Sequence, residues 1–168
     1  LVYRLDRFGR GGHHRPFNDL GYAGVRIMET NENYNRQHQD IRIENNVKYG
    51  DVIDGVNFEY VKKLTSVNAI NLALLASSPP PPQNLKIGGI VEPSVKFKWD
   101  LNLDNDIIGY NIYWRKTSSA NWEFSKSIGN VNEYTLENII IDNYLFSIVS
   151  VNKNGFESIY EFPSDTFR

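Results

Sequence analysis

Three histidines are the residues of this chain best suited to chemistry: His13, His14 and His38. His13 and His14 sit in Gly11-Gly12-His13-His14-Arg15-Pro16-Phe17-Asn18, and His38 in Gln37-His38-Gln39-Asp40. Neutral imidazole is the commonest side-chain metal ligand, so a histidine-rich region flanked by Asp and Glu is to be tested as a metal site. Two adjacent histidines make a poor joint site. On a strand they face opposite ways, and on a helix they diverge by about 100°. His38 lies in a polar loop, where an imidazole can equally be solvated or hydrogen-bonded.

Composition narrows the chemistry. The 168 residues suffice for one medium domain or two small ones. The net charge of −2 argues against a general nucleic-acid binder, which needs cations to neutralise phosphates. No apolar run is long enough to span a bilayer. With no cysteine, a disulfide framework, a thiol nucleophile and a cysteine zinc finger are excluded. Leu1-Val2-Tyr3-Arg4-Leu5 carries no initiator Met and no signal-peptide pattern, so further sequence upstream is expected.

The elements that must position these residues fall into two parts. Pro79 to Pro82 cannot continue a helix or donate to a sheet, and they favour a stiff polyproline II spacer. Before them the pattern mixes helix and strand. Residues 9–12 read as a loop, 14–20 as a short helix ended by Gly21, and 22–28 as a short strand. Residues 29–56 read as loop, with turn signals at Gly50-Asp51 and Asp54-Gly55. Residues 57–76 form a helix with Tyr60, Leu64, Val67 and Leu74 on one stripe. One strand and one amphipathic helix make a poor core alone, so this part needs something to pack against.

After the prolines the pattern is all β. Candidate strands are 84–87, 95–99, 108–115, 122–127, 134–136, 144–151 and 157–162. Val95, Phe97 and Trp99 alternate with Lys96 and Lys98, as in a half-buried strand. Seven short strands with turns between them suggest a β-sandwich. With Pro82-Gln83-Asn84-Leu85, Ile108 to Arg115, Tyr134-Thr135-Leu136 and Tyr144 to Asn152, this half resembles a fibronectin type III module. The resemblance implies that Trp99 is a core residue and that the Tyr144 hydroxyl ties a loop.

The front part resembles the C-terminal part of the di-zinc aminopeptidases, metallopeptidase family twenty-eight. The residues that carry this are Arg7-Phe8-Gly9-Arg10-Gly11-Gly12, His14, Pro16-Phe17-Asn18, Gly21 to Glu29, Asn31 to Tyr34, Gln37 to Asp40, Tyr49-Gly50-Asp51 and the helix. The resemblance implies that His38 is the last zinc ligand in the chain, about 2.0–2.1 Å from its metal. Two zinc ions about 3.5–4 Å apart would activate water and stabilise the tetrahedral intermediate of amide hydrolysis. Asp40 or a backbone carbonyl could orient the His38 imidazole.

His14 takes the family's histidine position beside the site, without binding zinc. His13 stands where the family has Asp, implying either a lost helix N-cap, worth about 1 kcal/mol, or an altered active-site floor. Arg26 could grip a substrate carboxylate or form a structural ion pair. Tyr34 could line the pocket, donate to an oxyanion or simply pack.

The fold expected is therefore α/β, the C-terminal portion of a three-layer α/β/α zinc-peptidase sandwich, followed by an all-β fibronectin type III-like sandwich. The parts are residues 1–77, a proline-rich linker at 78–83, and 84–168. The resemblance implies the C-terminal fragment of a zinc-dependent aminopeptidase that removes N-terminal residues from peptides, in a bacterial secreted or periplasmic setting. The other ligands and the general base would lie upstream, leaving this piece inactive alone. One rival is a non-catalytic peptidase-like protein whose β-sandwich docks to protein or glycan. A second is glutaminyl cyclisation, with a single zinc.

Overall fold

The computed structural model describes residues 11–167. The start of the glycine loop and the motif residues 7–10 lie outside them. The chain divides into two compact units, the division falling between Asn68 and Ala69. Among the described residues no helix is long and apolar enough to cross a membrane.

In the first unit, α1 spans Arg15–Asp19, with Pro16 in its first turn, where a missing N–H costs nothing. The helix stops before Gly21, whose φ of +85° lets its N–H close on the Asn18 carbonyl at 2.9 Å. Its N-cap is His14, in helical geometry and with no side-chain cap. His13 stands one residue before it, in the turn that leads into the helix.

Residues 22–28 form no strand, contrary to the sequence expectation. An extended segment becomes a strand only when a neighbour takes its backbone groups, and the described residues offer none there. A hairpin appears instead where only loop was expected. Strands β1 (Arg42–Glu44) and β2 (Val47–Tyr49) pair antiparallel. Asn45 and Asn46 join them at φ +48° and +61°, the two left-handed positions of a type I′ turn.

Helix α2 spans Phe58–Ser77. Asn57 caps it, its side-chain oxygen accepting from the Tyr60 N–H at 3.0 Å. Of the expected apolar stripe, Tyr60 and Leu64 are half-buried, while Val67 and Leu74 are exposed.

The second unit is a sandwich of two sheets. Its strands are β3 (Gln83–Gly88), β4 (Ser94–Asp100), β5 (Ile107–Lys116), β6 (Phe124–Gly129), β7 (Glu133–Glu137), β8 (Tyr144–Asn152) and β9 (Asp165–Thr166). One sheet runs β7-β4-β3-β9 and the other β6-β5-β8. The alternation read from the sequence fills the space between them with Leu85, Val95, Phe97, Trp99, Tyr110, Ile112, Phe146 and Ile148. Edge-to-face pairs cross the core, Phe97 with Phe146 at 5.4 Å and Trp99 with Tyr110 at 5.1 Å. Trp99 is thus a core residue. Tyr144 packs on Phe124 and Phe146, and its hydroxyl makes no hydrogen bond among the described residues, so it ties no loop there.

The seventh expected strand, 157–162, is reduced to two isolated bridges against β8, Val151 with Glu157 and Ile148 with Glu161. Between them the Ser158 hydroxyl accepts from the Ser150 N–H at 3.0 Å, replacing a carbonyl in the ladder. Pro163 then has no N–H to offer, and the chain crosses to the other sheet as β9, parallel to β3. The proline run rests on the sandwich. Pro79 and Pro82 are buried, and the Ser150 hydroxyl donates to the Pro80 carbonyl. The Asn152 amide donates to the Ser77 carbonyl at 3.0 Å, so the end of α2 is tied to β8 as well.

Candidate functional site

The site residues fall on two loops of the first unit. The earlier loop turns at His13-His14, where the Arg15 N–H reaches the Gly12 carbonyl at 3.1 Å. A Cβ at Gly12 would lie 2.7 Å from His14 Nδ1, and one at Gly24 would lie 2.7 Å from Asn18 Oδ1. Close approach at these two glycines lets residues 22–28 pass beside α1, where the Asn18 amide donates to the Gly24 carbonyl at 3.3 Å. The Arg26 guanidinium donates to the Gly11 carbonyl at 3.1 Å, which brings Arg26 to the same turn as His14. His14, Phe17, Tyr22, Ala23 and Gly24 line a shallow, mainly apolar depression there.

The later loop carries Tyr34, His38 and Asp40. It opens on a turn in which Arg36 N–H reaches the Asn33 carbonyl at 3.0 Å, and the Gly50 N–H reaches the Asn35 carbonyl at 2.9 Å. Beyond His38, Arg42 gathers the chain. Its guanidinium donates to Gln39 Oε1 at 3.2 Å and to Glu44 Oε2 at 3.1 Å, and stacks 4.0 Å over the Tyr49 ring. Both sides of His38 are therefore pinned.

His38 itself is exposed and has φ +54°, an uncommon backbone state for a residue other than glycine. Its neighbours Arg36 and Gln37 each bury a polar atom, Nη1 and Oε1, with no hydrogen-bond partner. Strain and unsatisfied polar groups of this kind concentrate at functional sites. Tyr34 is 62% exposed. No hydrogen bond joins Asp40 to His38 among the described residues.

Zinc sites take three or four protein ligands. Among the described residues no group of three or more His, Asp or Glu side chains stands close enough to hold a metal ion. His38 offers one donor, and a single donor does not make a centre.

A further cluster, unmarked by sequence spacing, lies on the sandwich. The Tyr113 hydroxyl donates to Glu157 Oε1 at 2.8 Å, and the Asn111 amide donates to the same oxygen. Tyr113 meets Tyr160 edge-to-face at 5.4 Å, and Trp122 contacts Tyr113, Tyr160 and Phe162 at 5.3–6.2 Å. Burial first, then the Glu157 hydrogen bond and charge, push the Tyr113 phenol up to about 12.

The fibronectin type III model matches residues 80–166, every strand of the sandwich included. The chain belongs to the fibronectin type III family. The matched module begins inside the proline run, and its core is the one described above.

Similarity to whole proteins extends further forward. A protein of Pyrenophora tritici-repentis named "Probable zinc metalloprotease" is 39% identical over 166 residues, covering 97% of this chain and 34% of the relative. One of Phaeosphaeria nodorum with the same name is 38% identical over 168 residues, with the same 97% and 34% coverage. The chain thus spans about a third of the length of these curated relatives. Both are fungal, which lends no support to the bacterial setting expected from the sequence. Among solved structures, the fn3 domain of human collagen alpha-1(XX) chain is 19% identical, with a TM-score of 0.43 over 55% of this chain and 90% of that one.

Proposed function

We propose that this chain serves a zinc-dependent peptidase. Residues 1–77 would contribute to the peptidase domain, 78–83 would form the joint, and the fibronectin type III module would follow. One observation carries the reading: the similarity to probable zinc metalloproteases covers 97% of the chain and so includes the front unit as well as the module. His38 is the proposed zinc ligand of this chain, completed by ligands from outside it. His14 and Arg26 stand beside the substrate path, Tyr34 lines it, and Asp40 belongs to the surroundings of His38. Two zinc ions, removal of N-terminal residues from peptides and a secreted setting follow the resemblance to the di-zinc aminopeptidases. When bound, zinc supplies an activated water and a Lewis acid for amide hydrolysis. The pinned, left-handed backbone of His38 supports this reading, because a ligand loop has to hold its imidazole in place before the metal arrives.

The test uses the full-length protein that carries this chain. Metal analysis is expected to give two zinc ions per protein, and His38→Ala is expected to lose one of them and nearly all release of N-terminal residues from peptides. A His38→Ala protein that keeps both zinc ions and full turnover would overturn the assignment. One zinc ion with cyclisation of N-terminal glutamine would favour the cyclase, and no turnover on any peptide would favour the non-catalytic rival.

A further inference from the structure

The aromatic cluster of the module is not needed to close its core. In β5, Tyr110 and Ile112 point into the sandwich, so the alternate residues Asn111, Tyr113 and Arg115 stand on the outer face. Trp122 arrives from the β5–β6 loop, and Tyr160 and Phe162 from the segment that follows β8. Tyr160 is 41% and Phe162 55% exposed. Burying such rings is favourable, and a contiguous exposed group of them marks a binding surface.

We propose that this outer face binds a neutral polysaccharide chain. A pyranose ring presents a face of C–H groups, which stack on aromatic rings, and a rim of hydroxyls, which donate and accept. The cluster offers both. Trp122 and Phe162 lie within 29° of parallel at 6.2 Å, and Trp122 and Tyr160 within 36° at 5.3 Å. Beside them the Glu157 carboxylate takes its hydrogen bonds among the described residues on Oε1, which leaves acceptor capacity on Oε2. Ser125 and Ser127, paired across the strands with Tyr113 and Asn111, share the same face and are exposed.

The charge balance decides the class of ligand. The cluster carries one carboxylate, Glu157, held by Asn111 and Tyr113, and one guanidinium, Arg115, which lies 5.5 Å over the Trp122 ring. A nucleic acid or an acidic polysaccharide requires a surplus of cations. A cationic peptide would compete with Arg115 for the ring it already covers. A protein hot spot is a desolvated pocket ringed by sheltering contacts, whereas these rings border exposed serines. The inference does not rest on the peptidase reading, since every residue it uses lies in the module.

The experiment uses the 168-residue chain, isotope-labelled, titrated with six-unit oligosaccharides of glucose, mannose, xylose and N-acetylglucosamine. At least one is expected to shift the Trp122 indole N–H signal saturably. Trp122→Ala and Tyr160→Ala are each expected to weaken that binding about tenfold, and Glu157→Gln to weaken it less. Val91→Ala, 96% exposed and outside the cluster, is expected to bind as the unaltered chain does. Circular dichroism and the urea midpoint establish folding. If Trp122→Ala does not fold, Tyr160→Ala and the exposed Phe162→Ala decide. The proposal is overturned if none of the four sugars moves the Trp122 signal, if a protein ligand but no sugar does, or if folded ring variants bind undiminished.

Discussion

Replacing Asn152 with alanine is expected to cost the fibronectin type III module about 3 kcal/mol. The side chain is 4% exposed and makes three hydrogen bonds. Its amide donates to the Ser77 carbonyl at 3.0 Å, and its oxygen accepts from Asn154 N–H at 3.1 Å and Phe156 N–H at 2.9 Å. Each such bond contributes about 1 kcal/mol net, and alanine loses all three. Asn152→Asp separates the parts. It keeps both acceptor bonds to the turn, but sets a carboxylate oxygen against the Ser77 carbonyl, at a cost of about 1–2 kcal/mol. In a chain that starts at Pro79 the Ser77 carbonyl is gone, and Asn152→Asp should then cost almost nothing. Trp99, Trp114 and Trp122 all lie in the sandwich, so urea unfolding followed by tryptophan fluorescence reports this unit. The reasoning fails if Asn152→Asp unfolds at the unaltered midpoint in the long chain, or loses as much stability in the short chain as in the long one.

Two further predictions test other parts. Tyr113 is raised to about 12 from 10.0, so the folded state keeps a proton that the unfolded state has lost between about pH 10 and 12. The stability this provides is complete below pH 10 and disappears as pH rises through 12. Glu157→Gln should lower the phenolate midpoint measured by ultraviolet absorbance while leaving it above 10, because burial is the larger cause. A midpoint unmoved by the substitution would refute the contact. Gly50 has φ +99°, and an added Cβ would lie 2.8 Å from the Ile41 Cα. Gly50→Ala should therefore displace the β1–β2 hairpin and, in the full-length protein, reduce zinc occupancy; unchanged occupancy would detach His38 from this loop's geometry.

Much of the fold is legible in single residues. Val95, Phe97 and Trp99 alternate with lysines, and β4 buries them as that alternation requires. Gly21 and Asn57 mark a helix end and a helix start at their own positions. The misreadings have a common physical cause. Residues 22–28 have strand-like composition and no partner among the described residues, whereas Asn45-Asn46 joins two three-residue strands too short to show a period. Residues 157–162 alternate well enough, yet a Ser158 hydroxyl takes the place of a backbone acceptor and breaks the ladder. Pairing is a property of two segments, and local pattern describes only one.

By itself the sequence determined the sandwich core, the two helices, and the choice of His38 as the metal-ligand candidate through its resemblance to zinc peptidases. Tertiary structure decided what distant residues do together. It seated the proline run on Ser150 and tied the end of α2 to Asn152, at separations of 70 and 75 residues along the chain. It gathered Tyr113, Trp122, Glu157 and Tyr160 into one cluster from three segments. It also set His38 at φ +54°, in a loop held by Gly50 and Arg42. These features depend on which backbone groups remain unpaired once the strands have formed, and that is settled only when the whole chain has folded.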